Sequence, residues 1–493
     1  MVIGTFIIPS YSPAQQAFTP LQEGDYEVKD ENIFFNPGIM VEGSYEAYYS
    51  AIKEDFITGD HISDGLLQDI ELRIRSKVNT NLSVHAHIGN KSKVVSEQDD
   101  RFKTDYADEA SDVSDDSGGM DLEFREAYLE YNHNPNAVLR LGKQFINPGD
   151  RMGLIYEGNA NAVTQQCRIG TWCYYIGGAR IGYEGNSALF WMQLDYPVYE
   201  SGVVISDPWV EKGTRQEASL NVELLRVDHR GSDIPMSSTG QWVGEFSAKH
   251  DTTSDGGTTK YIYFENDEVQ YLGFNLRWNY YKTMLRLSWI NLAGKRDYWM
   301  KARDGDREFV TNNEVSGNAV YLDVSYQLLD YLKVGWTTLN SSGTEREDGE
   351  KFWENNSESY LEVQKGDFGD ALIYFNGKDG LGQGHSVSNL VYNSMRASYI
   401  SDDKKLKMLF AVYTFRRAQP VFYTVENGDD KTSTDIGSEI DFVLDWKWED
   451  DLTAGFQLAA FSPGNAYSAN DNDKPEEDNK GFSLIGINLR YEF

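Results

Sequence analysis

Apolar and polar residues alternate along most of this chain. At its C-terminal end Ile485, Ile487, Leu489, Tyr491 and Phe493 are interleaved with Gly486, Asn488, Arg490 and Glu492. A period of two puts one set on each face of an extended strand. The pattern recurs in Ile70, Leu72, Ile74 and Val78 against Glu71, Arg73, Arg75 and Lys77. It recurs in Leu82, Val84, Ala86 and Ile88 against Ser83, His85, His87 and Gly89. Further copies are Leu272–Trp278, Leu285–Trp289, Val320–Tyr326 and Ile440–Trp446. Each reads as a strand with one apolar and one wet face. No helical period is sustained, and no apolar run is long enough for a transmembrane helix.

The segments between strands sort into two lengths. Short, turn-like ones stand at 79–81, 134–136, 184–186, 279–282, 330–331, 402–405 and 449–451. Long polar ones stand near 50–66, 90–119, 146–175, 197–215, 250–268, 293–316, 341–387, 416–434 and 462–480. One more, 229–240, is longer than a short turn requires. Long and short alternate, as in an outer-membrane barrel with short periplasmic turns and long extracellular loops. The expected fold is therefore all-β: a transmembrane antiparallel β-barrel of about eighteen strands, both chain ends periplasmic. One barrel is expected over 39–493. Residues 1–17 resemble a shortened signal peptide that lacks its basic start, and 18–38 read as an N-terminal periplasmic segment.

Composition agrees with this picture. The 31 Tyr and 11 Trp suit aromatic girdles at the two edges of a lipid band. A net charge of -33 excludes nucleic acid as a partner, since nothing neutralises a phosphate backbone. Much of that charge falls in the long segments, between Glu97 and Asp121 and between Asp471 and Asp478. These read as solvated loops or as carboxylates bridged to lipopolysaccharide by divalent ions. No complete twelve-residue calcium loop is present. Cys167 and Cys173 are too few for a disulfide framework; they can close one small disulfide loop or remain two thiols.

Strand phase names the side chains that would line the lumen. Arg73, Arg75 and Lys77, with His85 and His87, form a basic patch on two neighbouring strands. Arg277 and Arg286 add a pair, and Arg490 joins from the last strand. Arg125, Arg140 and Arg180 also lie in strands. The phase around Arg125 is ambiguous, because Leu122 and Phe124 disagree with Ala127, Leu129 and Tyr131. Inward acids are Glu71, Asp323, Glu439, Asp441, Asp445 and Glu492. Confined rings of Arg and Lys favour anions. The alternative is that these cations pair with the acids and brace the wall.

Three segments resemble the alginate-export family of outer-membrane porins. One is Asp435–Asp445 followed by Phe461–Tyr467 and the terminal Phe493. The second is Arg125–Tyr131 leading into Leu139–Gln144, and the third is Asp69–Arg73. Asn389–Arg417 is similar in spacing. The resemblance implies an eighteen-stranded barrel with a basic constriction that passes an anionic polysaccharide or a small anionic solute. It places Arg73, Arg125, Arg140 and Lys143 in or near the lumen. The chain departs from the family at Thr453–Ala460, where the family carries arginines, and in its inward acids.

Other expected partners are outer-membrane lipid, lipopolysaccharide and, through the C-terminal strand, the barrel-assembly machinery. No cofactor or metal is expected: the chain has no haem-attachment motif, and His85 with His87 lacks a third ligand. Catalysis is not expected either, since His385 and Ser386 stand in a long loop. The competing reading is a barrel that sheathes a partner such as a multihaem cytochrome. The 341–387 segment contains an apolar stretch, Ala371–Phe375, which can fold inward as a plug or stand outside as a hairpin.

Overall fold

The computed structural model describes residues 39–54, 61–98, 123–134, 136–147, 154–169, 172–181, 187–204, 215–229, 260–280, 282–302, 307–345, 358, 360, 371–375, 387–424, 430–468 and 481–493. The segments 1–17 and 18–38 lie outside them, as do His385, Ser386 and the acidic segments 99–122 and 469–480.

The described residues form eighteen strands in one antiparallel sheet. Five open the chain: β1 (Ile39–Glu54), β2 (His61–Lys77), β3 (Leu82–Gln98), β4 (Glu123–Asn134) and β5 (Ala137–Ile146). Next come β6 (Gly158–Ile169), β7 (Trp172–Ile181), β8 (Ser187–Val204), β9 (Arg215–His229) and β10 (Lys260–Tyr280). These are followed by β11 (Thr283–Ala302), β12 (Arg307–Leu329), β13 (Leu332–Ser341) and β14 (Leu390–Ile400). The chain ends with β15 (Leu406–Thr424), β16 (Asp430–Lys447), β17 (Leu452–Pro463), the single-turn α1 (Asn465–Ser468) and β18 (Phe482–Glu492). Each strand pairs with its successor in sequence, and β18 pairs back to β1 from Ser44–Glu492 to Glu54–Phe482. The sheet is a closed barrel with no free edge.

One face of the wall is apolar and exposed. Ile485, Ile487, Leu489, Tyr491 and Phe493 point outward from β18, and Leu272, Phe274 and Trp278 from β10. On β10 the outward apolar positions run from Leu272 to Trp278, which at ~3.3 Å per residue and a tilt of ~40° covers about 15 Å of bilayer. Trp278, Tyr326, Tyr331, Trp336, Trp446, Trp448 and Tyr491 are exposed near the short-turn end and form a girdle there. Strand tilt is visible in the chemistry. The hydrogen-bonded row through Leu276, Leu287 and Leu322 continues as Thr338, Asn393, Thr414, Ser438 and Ser462. A row in a tilted sheet climbs across the wall, so it leaves the lipid band on its way round.

The strand count agrees with the sequence reading, but two segments are arranged differently. The expected long loop 146–175 contains β6 and the start of β7, joined by a tight turn. Residues 230–259, with most of the connection expected at 229–240, lie outside the described residues; β9 pairs directly with β10. β7 and β8 meet at the long-loop end and β8 and β9 at the short-turn end, the reverse of what the short segment 184–186 and the long segment 197–215 predict. The Gln/Asn/Ala-rich β6, whose apolar signal is weak, conceals the hairpin.

Closure is locked on both faces of the seam. Gly43 and Phe493 exchange backbone hydrogen bonds of 2.9 and 3.0 Å, and the Phe493 ring covers Gly43. Inside, Tyr48 lies over Gly486 of β18 and its hydroxyl donates to Gln457 on β17 at 3.2 Å. Only a residue without a Cβ lets one side chain cross a whole strand this closely. Gly486→Val is expected to break the Tyr48–Gln457 bond and destabilise the seam by about 1–3 kcal/mol, read as a lower urea midpoint for the refolded barrel.

Candidate functional site

The barrel interior has two unlike halves. The wall from β18 through β1 to β5 is charged and partly exposed; the wall from β14 to β18 carries a buried aromatic cluster around Tyr392, Tyr413, Phe415 and Phe461.

In the charged half, inward positions of neighbouring strands meet. Arg125 of β4 passes over Gly89 of β3 to reach β2, where it pairs with Glu71 and, at 2.6 Å, with Asp69. Arg73 bonds Glu71 at 3.2 Å. His87 stands 3.5 Å from both Glu71 and Glu126. Arg140 of β5 donates to Glu130 at 2.9 Å, and Arg75 lies 3.9 Å from the same carboxylate. His85 stacks on Tyr128 at 4.7 Å, and the Arg140 guanidinium sits 5.6 Å from that ring. The ambiguous phase of Arg125 has a physical cause. The β3–β4 register shifts between His87–Glu126 and Ile88–Phe124, so Arg125 is the extra residue of a β-bulge. A bulge turns two consecutive side chains to one face, and both Arg125 and Glu126 point inward.

The expected lumen residues separate on this geometry. Arg73, Arg75, Lys77, Arg125 and Arg140 share the charged wall, with Arg490 across the seam, 2.7 Å from Glu492. Lys143 does not join them. It is out of phase with Arg140 and Gln144 on its own strand, and its ammonium pairs with Glu123 at 2.7 Å. Arg277 faces Arg286 across β10–β11, and Arg286 faces Asp323. There Arg396 of β14 repeats the device of Arg125, crossing Gly335 of β13 to pair with Asp323 of β12. The two cysteines are not in a disulfide. Cys167 is in register with Tyr174 and Cys173 with Arg168, so the thiols lie on opposite faces of the β6–β7 hairpin.

Glu439 and Asp441 face inward, but not toward water. Each is 1% exposed, covered by the segment Ala371–Phe375, which packs against the inner face of the wall. The backbone N–H of Leu372 donates to Asp441 at 3.0 Å. Those of Ile373 and Tyr374 donate to the two oxygens of Glu439 at 2.7 and 3.0 Å. Tyr374 stacks on Phe415 at 4.1 Å, and Phe375 meets Tyr392 and Phe415 edge-on. A second loop segment, Leu154–Glu157, is also buried, and the Tyr360 hydroxyl donates to the Leu154 carbonyl at 2.7 Å. Neither the loop's docking nor its aromatic seat followed from alternation alone. The available signal was β15, where Leu409, Ala411, Tyr413 and Phe415 are apolar inward while Phe410 and Val412 are apolar outward. A strand apolar on both faces is covered on both.

A closed barrel with an apolar outer band and polar rims is an outer-membrane β-barrel of the bacterial cell envelope. No protein-family model matches the chain, and the search of curated proteins gave no match. Among solved structures it is similar to OccK11 (OpdR) of Pseudomonas aeruginosa, at 11% identity and a TM-score of 0.42 over 92% of this chain and 96% of that one. It is also similar to OpdL of the same organism, at 8% and 0.48 over 92% and 99%. OmpT of Vibrio cholerae is similar at 9% and 0.38 over 92% and 97%. The fold assignment rests on the strand pairing itself, and at these values the likenesses say nothing about a solute.

Removing the charge of Arg125 tests the charged wall as a structural unit. Arg125→Gln leaves Asp69 and Glu71 facing each other and is expected to cost about 1–3 kcal/mol of unfolding free energy. Adding Glu71→Gln should return part of that loss, measured as urea midpoints of the single and double variants.

Proposed function

We propose that this barrel is a diffusion channel for small anionic solutes, its passage confined to the charged half of the interior. The observation that carries the reading is which charges meet water. Arg73 and Arg75 keep 42% and 30% of their side-chain surface exposed, while their carboxylate partners Glu71 and Glu130 keep 22% and 6%. At these two positions the guanidinium stands out from the wall with its acid behind it, while Arg125 and Arg490 are about as exposed as their partners. The described acids of this wall, Glu42, Glu46, Asp69, Glu71, Glu126, Glu130 and Glu492, are at least as numerous as Arg73, Arg75, Lys77, Arg125, Arg140 and Arg490. The preference for anions is therefore modest, set by reach rather than by net charge.

The resemblance to alginate-export porins supports acidic sugars as one solute class. Ala371–Phe375 and Leu154–Glu157 are buried loop residues that take up part of the interior, which favours small solutes over a whole polysaccharide. That filling also speaks against a sheath around a multihaem cytochrome. Lipid and lipopolysaccharide outside, and the assembly machinery at the C-terminal strand, are the partners this reading requires.

The test is the reversal potential of the refolded protein in a planar bilayer under a salt gradient. An anion-selective open channel is expected. Arg73→Gln with Arg75→Gln should lower the anion-to-cation permeability ratio severalfold and bring it to unity or below. A wild-type channel already selective for cations would overturn the anion reading.

A further inference from the structure

Glu439 and Asp441 are an unusual use of two carboxylates. They stand two residues apart on one face of β16, both covered, and between them they receive three consecutive backbone N–H groups. Hydrogen bonds to a charged acceptor are strong, but withdrawing two carboxylates from water costs several kcal/mol each in general. The balance is closer to even than for an apolar plug on an apolar wall. The other half of the grip is a single aromatic seat: Tyr374 on Phe415, with Phe375 against Tyr392. What the two carboxylates accept from the segment are backbone N–H groups, so this part of the grip reads the segment's local fold.

We propose that Leu372–Tyr374 is a gate held shut by Glu439 and Asp441, and that its release opens a second, wider passage along the β14–β18 wall. This rests on the channel reading above and adds a second conducting state to it. When the segment leaves, the two carboxylates regain water, which offsets part of the lost hydrogen bonding. The exposed surface would be Glu439 and Asp441 set among Tyr392, Tyr413, Phe415 and Phe461, a wall quite unlike the guanidinium-lined half. The two states would thus differ in selectivity as well as width. The closed state leans to anions, and the open one is drawn toward cations by the freed carboxylates.

The experiment is single-channel recording of three proteins refolded in parallel: wild type, the double variant Glu439→Gln with Asp441→Asn, and Tyr374→Ala. A carboxamide offers one acceptor oxygen where a carboxylate offers two, so Glu439→Gln presents an NH2 to a backbone N–H. Tyr374→Ala removes the seat without touching the barrel wall, and heat-modifiable gel mobility establishes that each barrel is closed. Both variants are expected to show a unit conductance about twofold or more above wild type, or far more frequent visits to such a state. Tyr374→Ala, which keeps both carboxylates, should also shift its reversal potential toward cations. Wild-type conductance in both variants would overturn the gate and leave the channel standing. No conductance from any of the three folded proteins would overturn the channel reading and the gate with it.

Discussion

Lipid offers a backbone amide no hydrogen bond, so every N–H and C=O that crosses it must be satisfied within the sheet. A sheet can meet that demand only by closing, and here closure falls on β1 and β18. Much else follows from it. The strands tilt so that the two edges meet, and the polarity boundary cuts obliquely across their hydrogen-bonded rows. Tyr48, Arg125 and Arg396 each span a strand over a glycine. These cross-links tie strands two apart, where backbone pairing ties only neighbours. Their middle residues, Gly486, Gly89 and Gly335, are fixed by space rather than by backbone conformation.

The interior follows a different rule from the exterior. Outside, lipid accepts any apolar side chain at the right height. Inside, each inward group needs a partner, and the chain supplies two kinds. Around β1–β5 the partners are opposite charges on neighbouring strands. Around β14–β18 the partner is the chain's own loop, which brings backbone donors to Glu439 and Asp441 and rings to Phe415. One barrel therefore encloses a wet half and a packed half.

What the sequence discloses about this molecule tracks which of those rules applies. Alternation is imposed by lipid, so the β2, β10, β16 and β18 phases were legible, and with them the inward placement of Arg73, Arg277, Glu439 and Arg490. Local irregularities were visible only as contradictions. The clash of phases at Arg125 is the β-bulge, and Lys143, which the resemblance placed in or near the lumen, is out of phase with Arg140 on its strand. The β6–β7 hairpin was hidden by a strand of small and polar residues. Inward acids such as Glu46, Glu126 and Glu130 went unnoticed because they emerge only when strands are set side by side. The docking of Ala371–Phe375 joins it to residues of β14, β15 and β16, up to 69 positions away at Asp441, and no local pattern encodes it.

The doubly apolar run on β15 has a cost during assembly. Where one face is polar, slipping a strand by a single residue turns charged groups toward lipid and is strongly resisted. Between Leu409 and Val412 a slip exchanges one apolar residue for another, and the wall itself resists little. The neighbours of that run differ: Phe415 is flanked by Thr414 and Arg416. A slipped β15 would offer Tyr374 a threonine or an arginine where it now meets a ring. The inward loop thus reads the register of the strand it rests on, and an interior contact proofreads the outer wall.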